Sequence, residues 1–216
     1  ADGLWPAFWT LGNNISTVTW PGCGEIDIME MGSEGGILAG TQNRRVGSNV
    51  FWDAGGVANY PQYLTVGQDL NNDFHIWRLE WTPTTITTYV DNQQILIFDI
   101  SGGAASNLEE FHAPHFFLLN LAVGGWYPSI FSAAGITAPL PAEYRIDYVR
   151  LYDNGHTILG GTGTVPHCAR MPHMPTHLGR VRSGGAPVLQ RGALGGPPQA
   201  RPCPPPPCQC VCSRLM

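Results

Sequence analysis

Glu25, Asp27 and Glu30 stand together in Gly24-Glu25-Ile26-Asp27-Ile28-Met29-Glu30. Acids alternating with apolar residues make the pattern of a strand that buries one face. On a regular strand Glu25 and Asp27 share a face, while Glu30, an odd step further on, points the other way. A β-bulge that absorbs Met29 brings Glu30 round to join them. Glu25 and Glu30 then behave as positions i and i+4, roughly 13 Å apart along the strand. Leaning inward over Asp27, their carboxyls reach about 5–5.5 Å, the spacing at which one carboxylate attacks an anomeric carbon while the other manages the proton. Acids crowded on one sheet face repel one another and lose hydration, and no cation lies nearby in sequence, so stability gives little reason to put them there. The alternative is an exposed strand with solvated acids. Ile26 and Ile28 on the other face, with Trp20-Pro21 and glycines in front, argue against it.

The elements around this strand read as β-structure throughout. Leu4 to Leu11 alternates, with Trp5, Ala7, Trp9 and Leu11 on one face; of these, Trp5 is assigned to the core. Asn13 to Thr19 is a polar loop, and Gly32 to Gly36 closes the acid strand. Thr41 to Trp52 reads as a strand pair, Gly55-Gly56 as a loop, and Tyr60 to Val66 as a short segment. Phe74 to Trp81 alternates with His75, Trp77, Leu79 and Trp81 on one side. Ile86 to Val90 and Ile95 to Ile100 form a hairpin across Asp91-Asn92. The apolar run His115 to Val123 predicts a strand covered on both faces, and Tyr144 to Tyr152 a last strand. No window shows a helical period, and short strands between turn signals predict an all-β sandwich.

Composition divides the 216 residues in two. All sixteen acids and five of the eleven arginines precede residue 159; six arginines and no acid follow it, and there is no lysine. Residues 1–158 therefore read as one domain. Residues 159–216 hold eleven of the nineteen prolines and predict a disordered tail, Cys203-Pro204-Pro205-Pro206-Pro207-Cys208 being its plainest sample. An acidic domain holding all seven tryptophans argues against nucleic acid and suits a neutral polymer bound by stacking. No apolar run is long enough to span a bilayer as a helix. Cys203, Cys208, Cys210 and Cys212 lack the paired spacing of a zinc site. Asn14-Ile15-Ser16 is a glycosylation sequon, which fits secretion.

These residues resemble the family-16 glycoside hydrolases, specifically laminarinase-like endo-β-1,3(4)-glucanases with their E-x-D-x-x-E motif. The likeness runs through Leu4-Trp5-Pro6-Ala7-Phe8-Trp9, Trp20-Pro21-Gly22-Cys23-Gly24-Glu25, Asp73-Phe74-His75, Leu119-Asn120-Leu121-Ala122-Val123-Gly124-Gly125-Trp126 and Ile146-Asp147-Tyr148-Val149-Arg150. It implies a concanavalin-like jelly-roll that begins here without its N-terminal strands. It also implies a secreted monomer that hydrolyses internal β-1,3 or mixed β-1,3/1,4 glucan bonds with retention of configuration. The alternative is an inactive fragment or a β-glucan-binding relative. Glu25 is implied as nucleophile and Glu30 as acid/base, with Asp27 between them holding the nucleophile and raising the acid's pKa by its charge. Trp9, Trp20, Asn120 and Trp126 are implied as substrate-binding residues. No cofactor is required; a structural calcium is implied at Asp147. One departure stands out, because Phe51 occupies a position where the resemblance implies a sugar-binding histidine.

Overall fold

The computed structural model describes residues 1–152 and the strand at 209–215. Two antiparallel sheets pack face to face. In the first, β4 (Val57–Asn59), β3 (Arg45–Asp53), β2 (Glu25–Met31), β1 (Leu4–Gly12) and β9 (His115–Val123) lie in that order, and β5 (Gln62–Thr65) also pairs with β3. The second runs β10 (Ile146–Tyr152), β11 (Gln209–Leu215), β6 (His75–Trp81), β7 (Thr85–Val90), β8 (Gln93–Asp99). Among the described residues the α-helices, α1 (Ile15–Val18) and α2 (Glu34–Leu38), are single turns, as the missing helical period predicts. Among the described residues, no helix is long and apolar enough to cross a membrane.

Alternation places the core between the sheets. Phe8, Ile26, Ile28, Val46 and Val50 point inward from the first sheet, and Trp77, Leu79, Ile86, Val90 and Leu96 answer from the second. Each buried side chain of this size contributes about 1.5–3 kcal/mol by leaving water. The β7–β8 hairpin turns on Asp91 and Asn92, at φ 46° and 67°, residues that tolerate the left-handed region through local hydrogen bonding. Asp91 holds β6 as well, accepting from the Ile76 amide at 2.9 Å and bonding His75 Nδ1 at 2.5 Å.

Three expectations change. Thr41 to Trp52 is not a strand pair: residues 41–44 turn, and β3 finds its partners in β4 and β5. β9 is not covered on both faces, since it closes the first sheet at β1 and exposes Phe116 and Val123. An apolar run does not distinguish a central strand from a bordering one. Third, Gln209–Leu215 is not disordered but pairs with β6 on one side and β10 on the other. It is a proline-free stretch beyond the polyproline run, so tail-wide composition hid a segment that can donate every ladder bond. The expected boundary at residue 158 and the rest of the tail lie outside the described residues.

Candidate active site

The bulge is present, and its partners locate it. Toward β3, Asp27 pairs with Asn49 and Glu30 with Gly47, so Ile28 and Met29 together face Ser48. Toward β1, Trp9 pairs with Asp27 and Phe8 with Met29, which leaves Ile28 as the extra residue rather than Met29. Both bulge side chains go into the core, at 0% and 2% exposure. The two flanking acids consequently fall on the same outer face.

A bulge leaves backbone groups out of the ladder, and here a relay satisfies one of them. Ser48 Oγ donates to the Asp27 carbonyl at 2.6 Å and accepts from Thr88 Oγ1 of β7 at 2.8 Å. Both hydroxyls are buried, so the relay crosses the core and pins the bulge to the opposite sheet. Ser48→Ala is expected to cost about 1–3 kcal/mol, because it strands a buried carbonyl and a buried hydroxyl. Urea unfolding of the variant measures this; a change below about 0.5 kcal/mol would show that the relay does not hold the bulge.

On the outer face, cross-strand partners build a cleft of about 350 Å³ over the acids. Phe51 lies opposite Glu25, Asn49 opposite Asp27 and Gly47 opposite Glu30. Trp5, Tyr63, Trp126 and Tyr127 add aromatic walls. Each glutamate receives one indole N–H: Trp20 Nε1 donates to Glu25 Oε2 at 2.8 Å, and Trp5 Nε1 to Glu30 Oε1 at 2.9 Å. Asp27 and Glu25 share a side-chain hydrogen bond.

Burial governs the protons. Asp27 is held well above the ordinary carboxylate range, first by loss of hydration and then by the charges of Glu30 and Glu25. The hydrogen bond between the two acids needs one proton, and the direction of these shifts favours Asp27 as its holder and Glu25 as its acceptor. Glu25 is raised by burial, against which the bonds from Asp27 and Trp20 favour its ionised form. Glu30 is pushed up to about 7, chiefly by burial, with the Trp5 bond opposing and the Glu25 charge assisting. Burial is thus the first cause of the Glu30 shift, and the charge that assists it is that of Glu25. All three acids are raised by burial, but Glu25 receives two hydrogen bonds that favour its ionised form while Glu30 keeps its proton to about 7, an asymmetry suited to nucleophile and acid.

The other sequence-predicted residues divide. Trp126, 85% exposed, lines the cleft and meets Phe131 edge-on at 4.9 Å. Trp20 and Phe51 pack at 5.7 Å beside Glu25. Trp9 lies next to Asp27 in the register, its indole N–H donating to Asn120 Oδ1 at 2.8 Å, so this pair borders the acids without lining the cleft. Trp5 was assigned to the core and is instead a wall of the cleft; it shares a face with Trp9, a signal the alternation already carried. Tyr63 and Tyr127 had no such signal, coming from β5 and from a loop that the fold alone brings over β2. Asp147 is exposed on β10 of the other sheet. Among the described residues there is no group of three His, Cys, Asp or Glu side chains that could hold a metal ion.

A β-sandwich whose open face presents paired carboxyls between aromatic walls is fitted to a polar ligand with stackable rings. The description "Glycosyl hydrolases family 16" matches residues 1–149, and the chain belongs to that family. It is 34% identical over 161 residues to the glucan endo-1,3-beta-glucosidase A1 of Niallia circulans, across 70% of this chain and 22% of that protein. It is 31% identical over 155 residues to the clotting factor G alpha subunit of Tachypleus tridentatus, across 72% of this chain and 21% of that protein. A solved Bacteroides ovatus mixed linkage glucan GH16, in complex with a G4G4G3G product, aligns with a TM-score of 0.57 at 36% identity. That alignment covers 62% of this chain and 55% of the other. The chain thus spans about a fifth of those two curated relatives and about half of the solved chain.

Proposed function

We propose that this domain hydrolyses internal β-1,3 or mixed β-1,3/1,4 glucan linkages by double displacement. The carrying observation is the pair of glutamates on the outer face of β2, where Glu25 accepts hydrogen bonds from Asp27 and Trp20 that offset part of its burial and Glu30 keeps its proton to about 7. In the first step Glu25 attacks the anomeric carbon while the glycosidic C–O bond breaks, and Glu30 gives its proton to the departing oxygen. A glycosyl ester on Glu25 results. In the second step Glu30, now a carboxylate, takes a proton from water, whose oxygen attacks the same carbon and releases Glu25. Asp27 donates its hydrogen bond to Glu25 throughout, which keeps the nucleophile oriented.

The substrate class is supported by the printed names of the Niallia circulans and Bacteroides ovatus proteins. The aromatic walls suit sugar rings, and Trp9, Trp20, Asn120 and Trp126 are proposed to extend the binding face. Phe51 against Trp20 makes the wall beside Glu25 apolar, where a histidine would offer a hydrogen bond. A polymer of this size does not cross a membrane, so the reading places the enzyme outside the cell. Glucan binding without cleavage has no use for a carboxyl held protonated to neutrality.

Laminarin and a mixed-linkage glucan should release reducing ends, and proton NMR should show the β-anomer first. Cleavage of agarose or carrageenan with both glucans untouched would refute the substrate, and initial α-anomer would refute the double displacement.

A further inference from the structure

We propose that Trp5 and Tyr127 are positioning residues for Glu30: a stacked pair that grips this residue by its carboxyl and its backbone at once and sets how readily it parts with its proton. The inference rests on the role proposed for Glu30. Around this residue the contacts form a closed ring. Trp5 Nε1–H donates to Glu30 Oε1 at 2.9 Å. The Trp5 indole stacks on Tyr127, centroids 5.5 Å apart and planes 17° from parallel. The Tyr127 hydroxyl donates to the Glu30 carbonyl at 3.2 Å. The Tyr127 carbonyl in turn accepts from the Glu34 amide at 2.8 Å, tying the loop to the chain just beyond β2. Trp5 therefore cannot swing away without sliding off a ring that is itself anchored to Glu30.

Gly47 is part of the arrangement. It lies opposite Glu30 in the register, and a Cβ there would sit 2.3 Å from the Tyr127 hydroxyl. The missing side chain is the space the phenol occupies. Tyr127 is half-buried and its pKa is driven up, first by lost hydration and then by the charge of Glu30, so it remains a neutral donor.

The charged and titratable groups around Glu30 are few. Glu25 and Asp27 share its strand, Arg45 of β3 stacks at 4.3 Å over Tyr63 of β5, Tyr127 comes from the loop, and Glu34 on α2 is exposed. Among the described residues the hydrogen bond to the Glu30 carboxyl is the one from Trp5. An N–H donor strengthens its bond when the acceptor gains charge. Trp5 thus eases the loss of the proton in the first step and holds the resulting carboxylate ready for water in the second. A tryptophan that only filled space would do neither.

Trp5→Phe keeps the stacked ring and removes the N–H. Carboxyl 13C NMR of glutamate-labelled protein should show Glu30 titrating higher by roughly one pH unit. The basic limb of kcat/KM on glucan, which reports the acid in the free enzyme, should move up with it. Below pH 6, kcat on glucan should fall about tenfold, while cleavage of a 2,4-dinitrophenyl glycoside, whose leaving group needs no proton, should change less than about threefold. An unmoved titration, or equal losses on both substrates, would overturn the inference. Tyr127→Phe supplies the same substrate comparison if the first variant does not fold: glucan turnover should drop with the dinitrophenyl substrate spared, and equal losses there would also overturn it. A titration that moves in a protein that cuts no glucan would leave the grip on Glu30 standing and remove the proposed function.

Discussion

Glu25→Ala is expected to lower kcat on a β-1,3-glucan by at least about 10⁴-fold while leaving the fold intact. The loss is large because no second group can form the glycosyl ester: Asp27 holds a proton, and Glu30 is committed to proton transfer. Two donors lose their acceptor: Trp20 is 43% exposed and can turn its N–H to water, while the buried Asp27 loses its bond at a cost of about 1–3 kcal/mol, against which the variant no longer buries the raised Glu25 carboxyl. Azide separates the roles. In Glu25→Ala the ion fits where the carboxylate was and attacks the anomeric carbon from the same side, Glu30 still protonating the departing oxygen. The product is the α-glycosyl azide. In Glu30→Ala the ester on Glu25 still forms with a good leaving group, and azide displaces it to give the β-glycosyl azide. Residual turnover within tenfold of the parent, or a β-azide from Glu25→Ala, would remove Glu25 from the nucleophile's place.

What the sequence disclosed and what it hid follow from how far apart the cooperating residues lie. Glu25, Asp27 and Glu30 are on one strand, so an alternation and one bulge place all three, and only the identity of the extra residue, Ile28 rather than Met29, needed the ladders on both sides. Trp5 was misplaced although its face was legible, because a tryptophan's type alone does not tell core from cleft. Tyr127 depends on a loop landing over β2 and on Gly47 making room for its hydroxyl, neither of which a local pattern encodes. The proton distribution was hardest to read. Like charge between neighbouring acids is visible in a sequence, whereas burial, the largest influence on all three, is a property of the assembled sheets. Asp27 illustrates the consequence: read as a charge, it would lift Glu30, but buried and protonated it becomes a donor to Glu25.

Glu30→Gln is expected to stabilise the protein by about 3 kcal/mol at pH 8 and by almost nothing at pH 4. In the unfolded chain Glu30 titrates near its ordinary value of 4.5, and in the fold near 7. Below 4.5 both states hold the proton, and the buried carboxyl costs the fold nothing. Between 4.5 and 7 the unfolded chain ionises first, so stability falls as pH rises; above 7 both states are ionised and the loss is complete. A gap from 4.5 to about 7, at about 1.4 kcal/mol per pH unit, gives the 3 kcal/mol. Glu25 and Asp27, also raised, push stability the same way. Glutamine keeps the shape and an oxygen for the Trp5 N–H but has no charge to bury, so it removes the penalty at high pH alone. Thermal melts should show the variant above the parent by about 6–12 °C at pH 8 and level with it at pH 4. A variant no more stable than the parent at pH 8, or one equally shifted at both pH values, would mean that Glu30 is not the ionisable burden the geometry makes it. The gain would be obtained by giving up the proton that the proposed chemistry needs, so the stability missing at high pH and the poised acid have the same cause, a carboxyl kept from water on the outer face of β2.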